Sequence, residues 1–217
     1  MKYPHLTRIL SAEFPKLKLD ENTRDLDKIG MLLVNDKPIS IEEFLAMKNP
    51  KVNGDLDLNG SKELTALPEG LEVSGYLDLR NTKITSLPEG LKVRGWLDLY
   101  GTKITSLPED FKVGGDLWLN DTPITSLPED LKVGGHLNLR GTKITSLPKG
   151  LDVGGYLDLS NTKITSLPEG LEVSGYLDLR GTNITSLPDD LKVEEDIYVD
   201  DPSKIQCSEE LKKKLRR

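Results

Sequence analysis

From Leu56 onward, apolar and polar positions fall into a pattern that returns every 20 residues. The pair Leu77/Leu79 recurs as Leu97/Leu99, Leu117/Leu119, Leu137/Leu139, Leu157/Leu159 and Leu177/Leu179. It starts one residue early at Leu56/Leu58 and decays to Ile197/Val199, which gives eight expected strands. Within residues 76–95, Leu77 and Leu79 alternate with Tyr76, Asp78 and Arg80, the period-2 pattern of a strand with one buried face. Asn81 stands where other units place Gly101, Asp121, Gly141, Asn161 and Gly181, all residues that tolerate positive φ, so the strand is predicted to end there. Thr82 follows in every unit, and its hydroxyl is expected to satisfy backbone groups left by the turn, building a hydrogen-bonding ladder. Ile84, Leu87, Leu91 and Val93 complete the core. Pro88 fixes φ and has no N–H, so the return path is predicted to be extended rather than strand or long helix. Gly95 gives the chain freedom to enter the next strand. Units this short bury a core only by stacking on one another, which predicts a solenoid.

The flanks break the pattern and read as caps for its apolar ends. Pro4 to Phe14 is predicted to be a short helix, and Met31 to Val34 a strand before the turn Asn35-Asp36-Lys37-Pro38. Ser40-Ile41-Glu42-Glu43 forms a capping box opening a helix through Met47, which Asn49-Pro50 stops. Ser208 is predicted to cap a helix to Arg217, with Leu211 and Leu215 on the face that covers the last coil. The expected division is 1–53 as an N-terminal capping region, 54–202 as the solenoid and 203–217 as a C-terminal capping helix. An independent partner-binding module is the other reading of the first 50 residues.

The motif L-x-L-x-x-T-x-I-T-S-L-P-x-x-L-x-V-x-G resembles the short leucine-rich repeat of bacterial and phage proteins, the subtype with a Leu-Pro pair on its outer arc. The match covers residues 54–200, about two thirds of the chain. That resemblance implies an α/β-type repeat solenoid. Its horseshoe would have about eight parallel strands on the concave face, a polyproline-like convex arc and small helical caps at both ends. Thr replaces the usual Asn of the ladder throughout. Secreted effectors of pathogens carry similar repeats, some joined to a ubiquitin-ligase domain with a catalytic Cys. The 217 residues leave no room for such a domain, so no enzyme activity is expected.

Charge and cysteine content narrow the setting. A net charge of −7 suits a soluble module, and Cys207, the single cysteine, suggests a reducing compartment. No run reaches the roughly 20 apolar residues of a membrane span, and the N-terminus lacks a signal-peptide core. A cytoplasmic monomer is expected, with signal-free export, as such effectors use, left open.

Function is expected where the repeat varies. The outward strand positions form three columns of neighbours: 55, 76, 96, 116, 136, 156, 176, 196; then 57, 78, 98, 118, 138, 158, 178, 198; then 59, 80, 100, 120, 140, 160, 180, 200. These 24 positions hold seven of the eight Tyr and Trp residues, only Tyr3 lying outside. Tyr76, Trp96, Tyr100 and Trp118 are predicted to form one patch and Tyr156 with Tyr176 a smaller one beyond His136. Tyr198 completes the set. The columns also hold nine Asp, among them Asp78, Asp98, Asp116, Asp158 and Asp178, against Arg80, Arg140 and Arg180, a formal sum of −6. Asn120 and Asn138 fill the remaining polar candidate positions. Exposed aromatics beside carboxylates suit a protein or peptide with a basic surface. Nucleic acid would call for a basic stripe.

The expected function is therefore non-enzymatic protein binding by an effector or inhibitor, with carbohydrate binding on the same aromatic face as the alternative. No cofactor or metal is expected, since the carboxylates fit no fixed ligand loop. A plainer reading stands beside both: the rings cover the sheet, and neighbouring Arg residues balance the Asp columns. His136 is read as a contact residue and Cys207 as a packing residue.

Overall fold

The structure, a computed structural model, describes residues 31–34 and 37–217. The helix expected over Pro4 to Phe14 and the turn at Asn35-Asp36 lie outside them. The described residues form a parallel β-solenoid of 20-residue turns with little helix among them. Each turn has three sides. The first carries the Leu-x-Leu strand, and nine such strands, Leu56–Asp57 through Ile197–Tyr198 and then Leu215–Arg216, pair in parallel and in register. Leu77, Leu97 and Leu117 are thus direct neighbours.

A second parallel ladder of eight strands, Lys51–Val52 through Lys192–Val193, runs along another side. Pro88 had suggested an extended path without a strand here. Its missing N–H excludes only its own position, and four residues on Lys92 N–H donates to Leu71 O at 2.9 Å while Arg94 N–H donates to Val73 O at 3.0 Å. The signal was present in Leu91-Lys92-Val93, which alternates inward and outward like the first strand. The third side, residues 82–88 and its repeats, is the extended path expected, with no strand or helix. It is tied to its neighbour by single bonds such as Lys103 N–H to Ile84 O at 3.1 Å. Pro123 cannot make that bond, and in its turn Thr125 N–H reaches Thr105 O at 3.4 Å instead.

Leu77, Leu79, Ile84, Leu87, Leu91 and Val93 are all buried, as are their counterparts in every turn, so one apolar column runs the length of the solenoid. Each such side chain stabilises the stack by about 1.5–3 kcal/mol relative to exposure. The turn position takes positive φ as the sequence indicated: Asn81 has φ 56°, Asp121 56°, Asn161 57° and Gly101 70°. Gly95 acts differently from the expectation. Its φ is not positive, and a Cβ there would lie 2.7 Å from the Gly75 backbone, so close approach of coils is what excludes a side chain.

The threonine hydroxyls satisfy backbone as expected but do not link coils. Thr82 Oγ1 donates to Leu79 O at 2.8 Å, three residues back in its own turn, and Thr102, Thr122, Thr142, Thr162 and Thr182 repeat the bond. At the N-terminal end, Met31–Val34 pairs antiparallel with Lys37–Ser40. The capping box forms, with Glu43 N–H donating to Ser40 Oγ at 3.0 Å and Ser40 N–H to Glu43 Oε2 at 2.9 Å. The helix Ile41–Ala46 then buries Phe44 in the core. At the other end the helix from Ser208 lasts only Glu209–Lys212, and Leu215–Arg216 becomes the ninth strand of the first ladder. Leu211 and Leu215 do cover the last coil. The edge of Ile197–Tyr198, whose N–H groups need acceptors, pairs with carbonyls that a helix ending at Arg217 would leave without a donor: Ile197 N–H donates to Lys214 O and Val199 N–H to Arg216 O, both at 2.9 Å.

Candidate functional site

The outward side of the first ladder presents the three expected columns, and the aspartates on it are engaged. In the second column, Asp57, Asp78, Asp98, Asp158 and Asp178 each accept from the backbone N–H two residues ahead at 2.8–3.0 Å. Asn138 does the same for Arg140 at 3.0 Å. An acceptor oxygen at that place serves the strand end, and charge is incidental to it. In the first column, Asp55 accepts from Tyr76 N–H at 3.1 Å and Asp116 from His136 N–H at 2.8 Å, one coil on. Asp200 accepts from Gly181 N–H at 2.8 Å, and Asp196 pairs with Arg216 at 2.9 Å.

Buried Asp78 and Asp178 are held by the guanidinium groups of Arg80 and Arg180. Arg80 also lies 3.6 Å from Asp98, whose carboxyl is pushed up chiefly by burial and secondarily by Asp78. Asp78 and Asp178 are thus offset by their own Arg, while repulsion from Asp78 still acts on Asp98. Arg140 is exposed and Asn120 half-buried.

The rings arrange themselves differently from the two patches expected. Tyr76 and Trp96 stack at 4.2 Å and 3°. His136, Tyr156 and Tyr176 form a continuous stack, with centroids 4.0 and 4.6 Å apart. Trp118 does not join Trp96; it reaches along the ladder to pack edge-on against Tyr156 at 6.3 Å, two strands on. Tyr198 meets Tyr176 edge-on at 5.7 Å, with Arg180 5.3 Å from its centre. The His136 group is thus the larger. Tyr100 is exposed at 40 %. Burial pushes the Tyr156 phenol up to about 12.

His136 Nδ1 accepts from Tyr156 N–H at 3.0 Å, so that nitrogen carries a lone pair and the ring is uncharged in this arrangement. Cys207 sits apart, and burial pushes its thiol up, the reverse of an activated nucleophile. Among the described residues, no group of three or more His, Cys, Asp or Glu could hold a metal ion. No helix among them is long and apolar enough to cross a membrane.

No protein-family model matches this chain, and no curated protein matches it. What can be said of its kind rests on its own geometry, a repeat solenoid of stacked parallel strands.

A feature that the sequence reading missed lies on the second ladder, where a groove of about 1000 Å³ runs over Gly114, Gly134 and Gly154 beside Arg94, Lys112 and Lys132. Three successive outward glycines where other turns carry Ser74, Arg94, Ser174 or Glu194 were the available signal. Lys92 and Lys192 are paired there with Glu72 and Glu172.

Proposed function

We propose that this chain is a non-enzymatic recognition module whose aromatic and acidic face binds a partly cationic protein or peptide. In kind it is a leucine-rich repeat of the short Leu-Pro type, acting as an effector or inhibitor. The observation that supports this most is the segregation of the rings. Seven of the eight Tyr and Trp residues stand on the outward side of one ladder, while the core is built almost wholly of Leu, Ile and Val. The 24 columnar positions keep their formal sum of −6 even with carboxylates engaged by backbone donors, and Arg216, which the ninth strand sets beside Tyr198, offsets one of those charges at Asp196. Hydrogen bonding to neutral N–H groups leaves the charge in place, so the field remains available to steer a basic partner. Carbohydrate is less well supported, since a sugar lies on an open ring face and these rings mostly turn their faces to one another.

Affinity capture by the wild type and by a Trp96→Ala/Tyr100→Ala/Trp118→Ala variant tests the proposal, with circular dichroism checking that both are folded. Basic proteins held by the wild type, released as salt rises and lost from the variant are the expected result. Retention of the same proteins by the variant, together with their loss from Lys112→Glu/Lys132→Glu, would transfer the site to the glycine-floored groove.

A further inference from the structure

The aromatic column is interrupted once. Reading along it, Tyr76 and Trp96 are followed by Asp116 and then by His136, Tyr156 and Tyr176. Leu97, Leu117 and Leu137 are consecutive ladder partners, so Trp96 and His136 stand two strand spacings apart, about 9.6 Å. Rings one spacing apart stack here at 4.0–4.6 Å, which makes the gap one ring thick. Among the described residues Trp96 stacks only on Tyr76, and His136 only on Tyr156, so each has its other face toward the gap. Asp116 forms the floor. Its Oδ1 accepts from His136 N–H at 2.8 Å, and its other oxygen has no partner among the described residues.

We infer that this gap is a slot for the guanidinium of an arginine side chain on the partner, a statement that rests on the aromatic face being the docking surface. The occupant must be flat to lie between two rings at one stacking distance from each, and cationic to meet the Asp116 carboxylate. Guanidinium meets both conditions and offers paired N–H donors, whereas an ammonium is compact and cannot stack. A neutral ring would fill the space but would cover the Asp116 carboxylate without compensating it. His136, uncharged through its Nδ1 acceptor, can face a cation. The same chemistry already occurs twice on this face: Asp196, the other aspartate that follows a ring in the column, holds Arg216 at 2.9 Å, and Arg180 lies 5.3 Å from the centre of Tyr198.

The probe is a capped Gly-Arg-Gly peptide beside its citrulline and lysine counterparts, followed through the Trp96 indole N–H by NMR. Citrulline keeps the plane and loses the charge; lysine does the opposite. The wild type should show a saturable shift with arginine, at least about tenfold weaker with citrulline, which loses the charge-assisted bonds, and with lysine, which loses the flat bidentate fork. Asp116→Asn keeps the Oδ1 acceptor for His136 N–H and should weaken arginine binding about tenfold. Asp116→Tyr supplies the missing ring and should abolish it in a folded protein. Equal binding by wild type and Asp116→Asn, or a response without arginine preference, overturns the slot. If captured proteins are lost from the Trp96/Tyr100/Trp118 variant yet kept by Asp116→Asn, the slot alone fails; retention by both removes the docking face itself.

Discussion

Asp78 accepts from Arg80 twice at one oxygen, from the backbone N–H at 3.0 Å and from guanidinium Nε at 2.9 Å. Asp178 and Arg180 repeat the arrangement five coils on, at 3.0 Å for both bonds. A carboxylate that is 2 % exposed is thus fastened to the residue two places ahead, locking the end of its strand. Asp78→Ala removes both bonds and leaves the strand-end N–H unpaired, so it should cost about 2–3 kcal/mol in urea unfolding. Arg80→Ala leaves the backbone bond intact and removes a 41 % exposed partner, so a smaller loss of about 1 kcal/mol is expected. A larger loss for Arg80→Ala would show that charge, rather than the strand-end bond, is what matters.

Asp98 responds to pH in the opposite sense from a salt-bridged carboxylate. Burial favours its protonated form, so the folded state holds the proton more tightly than the unfolded state. Stability contributed by this group is therefore present at low pH and lost as pH rises through the raised folded value. Asp98→Asn keeps the acceptor for Tyr100 N–H, as Asn138 does for Arg140. The variant should be more stable near neutral pH by on the order of 0.5 kcal/mol, allowing for solvent screening, with the difference closing toward about pH 3. A gain of the same size at every pH would contradict this account.

The threonine bonds are local, and their energies should be too. Thr122 Oγ1 donates to Leu119 O at 2.6 Å within one buried turn. Thr122→Val should cost about 1 kcal/mol, and Thr182→Val less, since Thr182 is only partly buried. Combining Thr122→Val with Thr162→Val, two coils away, should give the sum of the single losses. Strong non-additivity in thermal unfolding would indicate coupling between coils that the hydrogen bonds do not show.

Tyr156 packs between His136 and Tyr176, and burial carries its phenol up to about 12. An absorbance titration should show one tyrosine ionising last, and Tyr156→Phe should remove that phase. Because the folded phenol keeps its proton longer than the unfolded one, stability falls as pH rises between about 10 and about 12. The decline should be shallower in Tyr156→Phe.

The solenoid was legible in the sequence because stacking forces the same residue into the same place: Leu77, Ile84 and Val93 have identical surroundings in every coil, so identity along the chain reports burial directly. Positive φ at Asn81 and Asp121 was legible for the same reason, from residues that share a conformation rather than a side chain. The second ladder was masked by Pro88, whose local veto was extended too far along the chain. At Leu215–Arg216 an amphipathic pattern agreed with helix, yet the unpaired edge of Ile197–Tyr198 was worth more than helical propensity. The engagement of the aspartates could not be read either, since Asp and Asn at one register position look like charge and its absence until the N–H they both serve is in view. The columns themselves came through intact, but which rings touch depended on how far each side chain reaches along the ladder, as Trp118 and Tyr156, two strands apart, show.

A coil that offers its successor the same edge it received is an instruction to continue without end. The residues after Ile205 countermand it. Lys214 donates its ammonium to the carbonyls of Val193 and Glu194, and Arg216 turns its guanidinium back on the carbonyls of Lys213 and Leu215 at 2.8 and 2.9 Å. Acceptors that would welcome a strand from another molecule are already taken by cations of this one. Loss of this short segment would leave every repeat intact and still change the protein's fate, from a particle of fixed length to a seed on which further copies could grow.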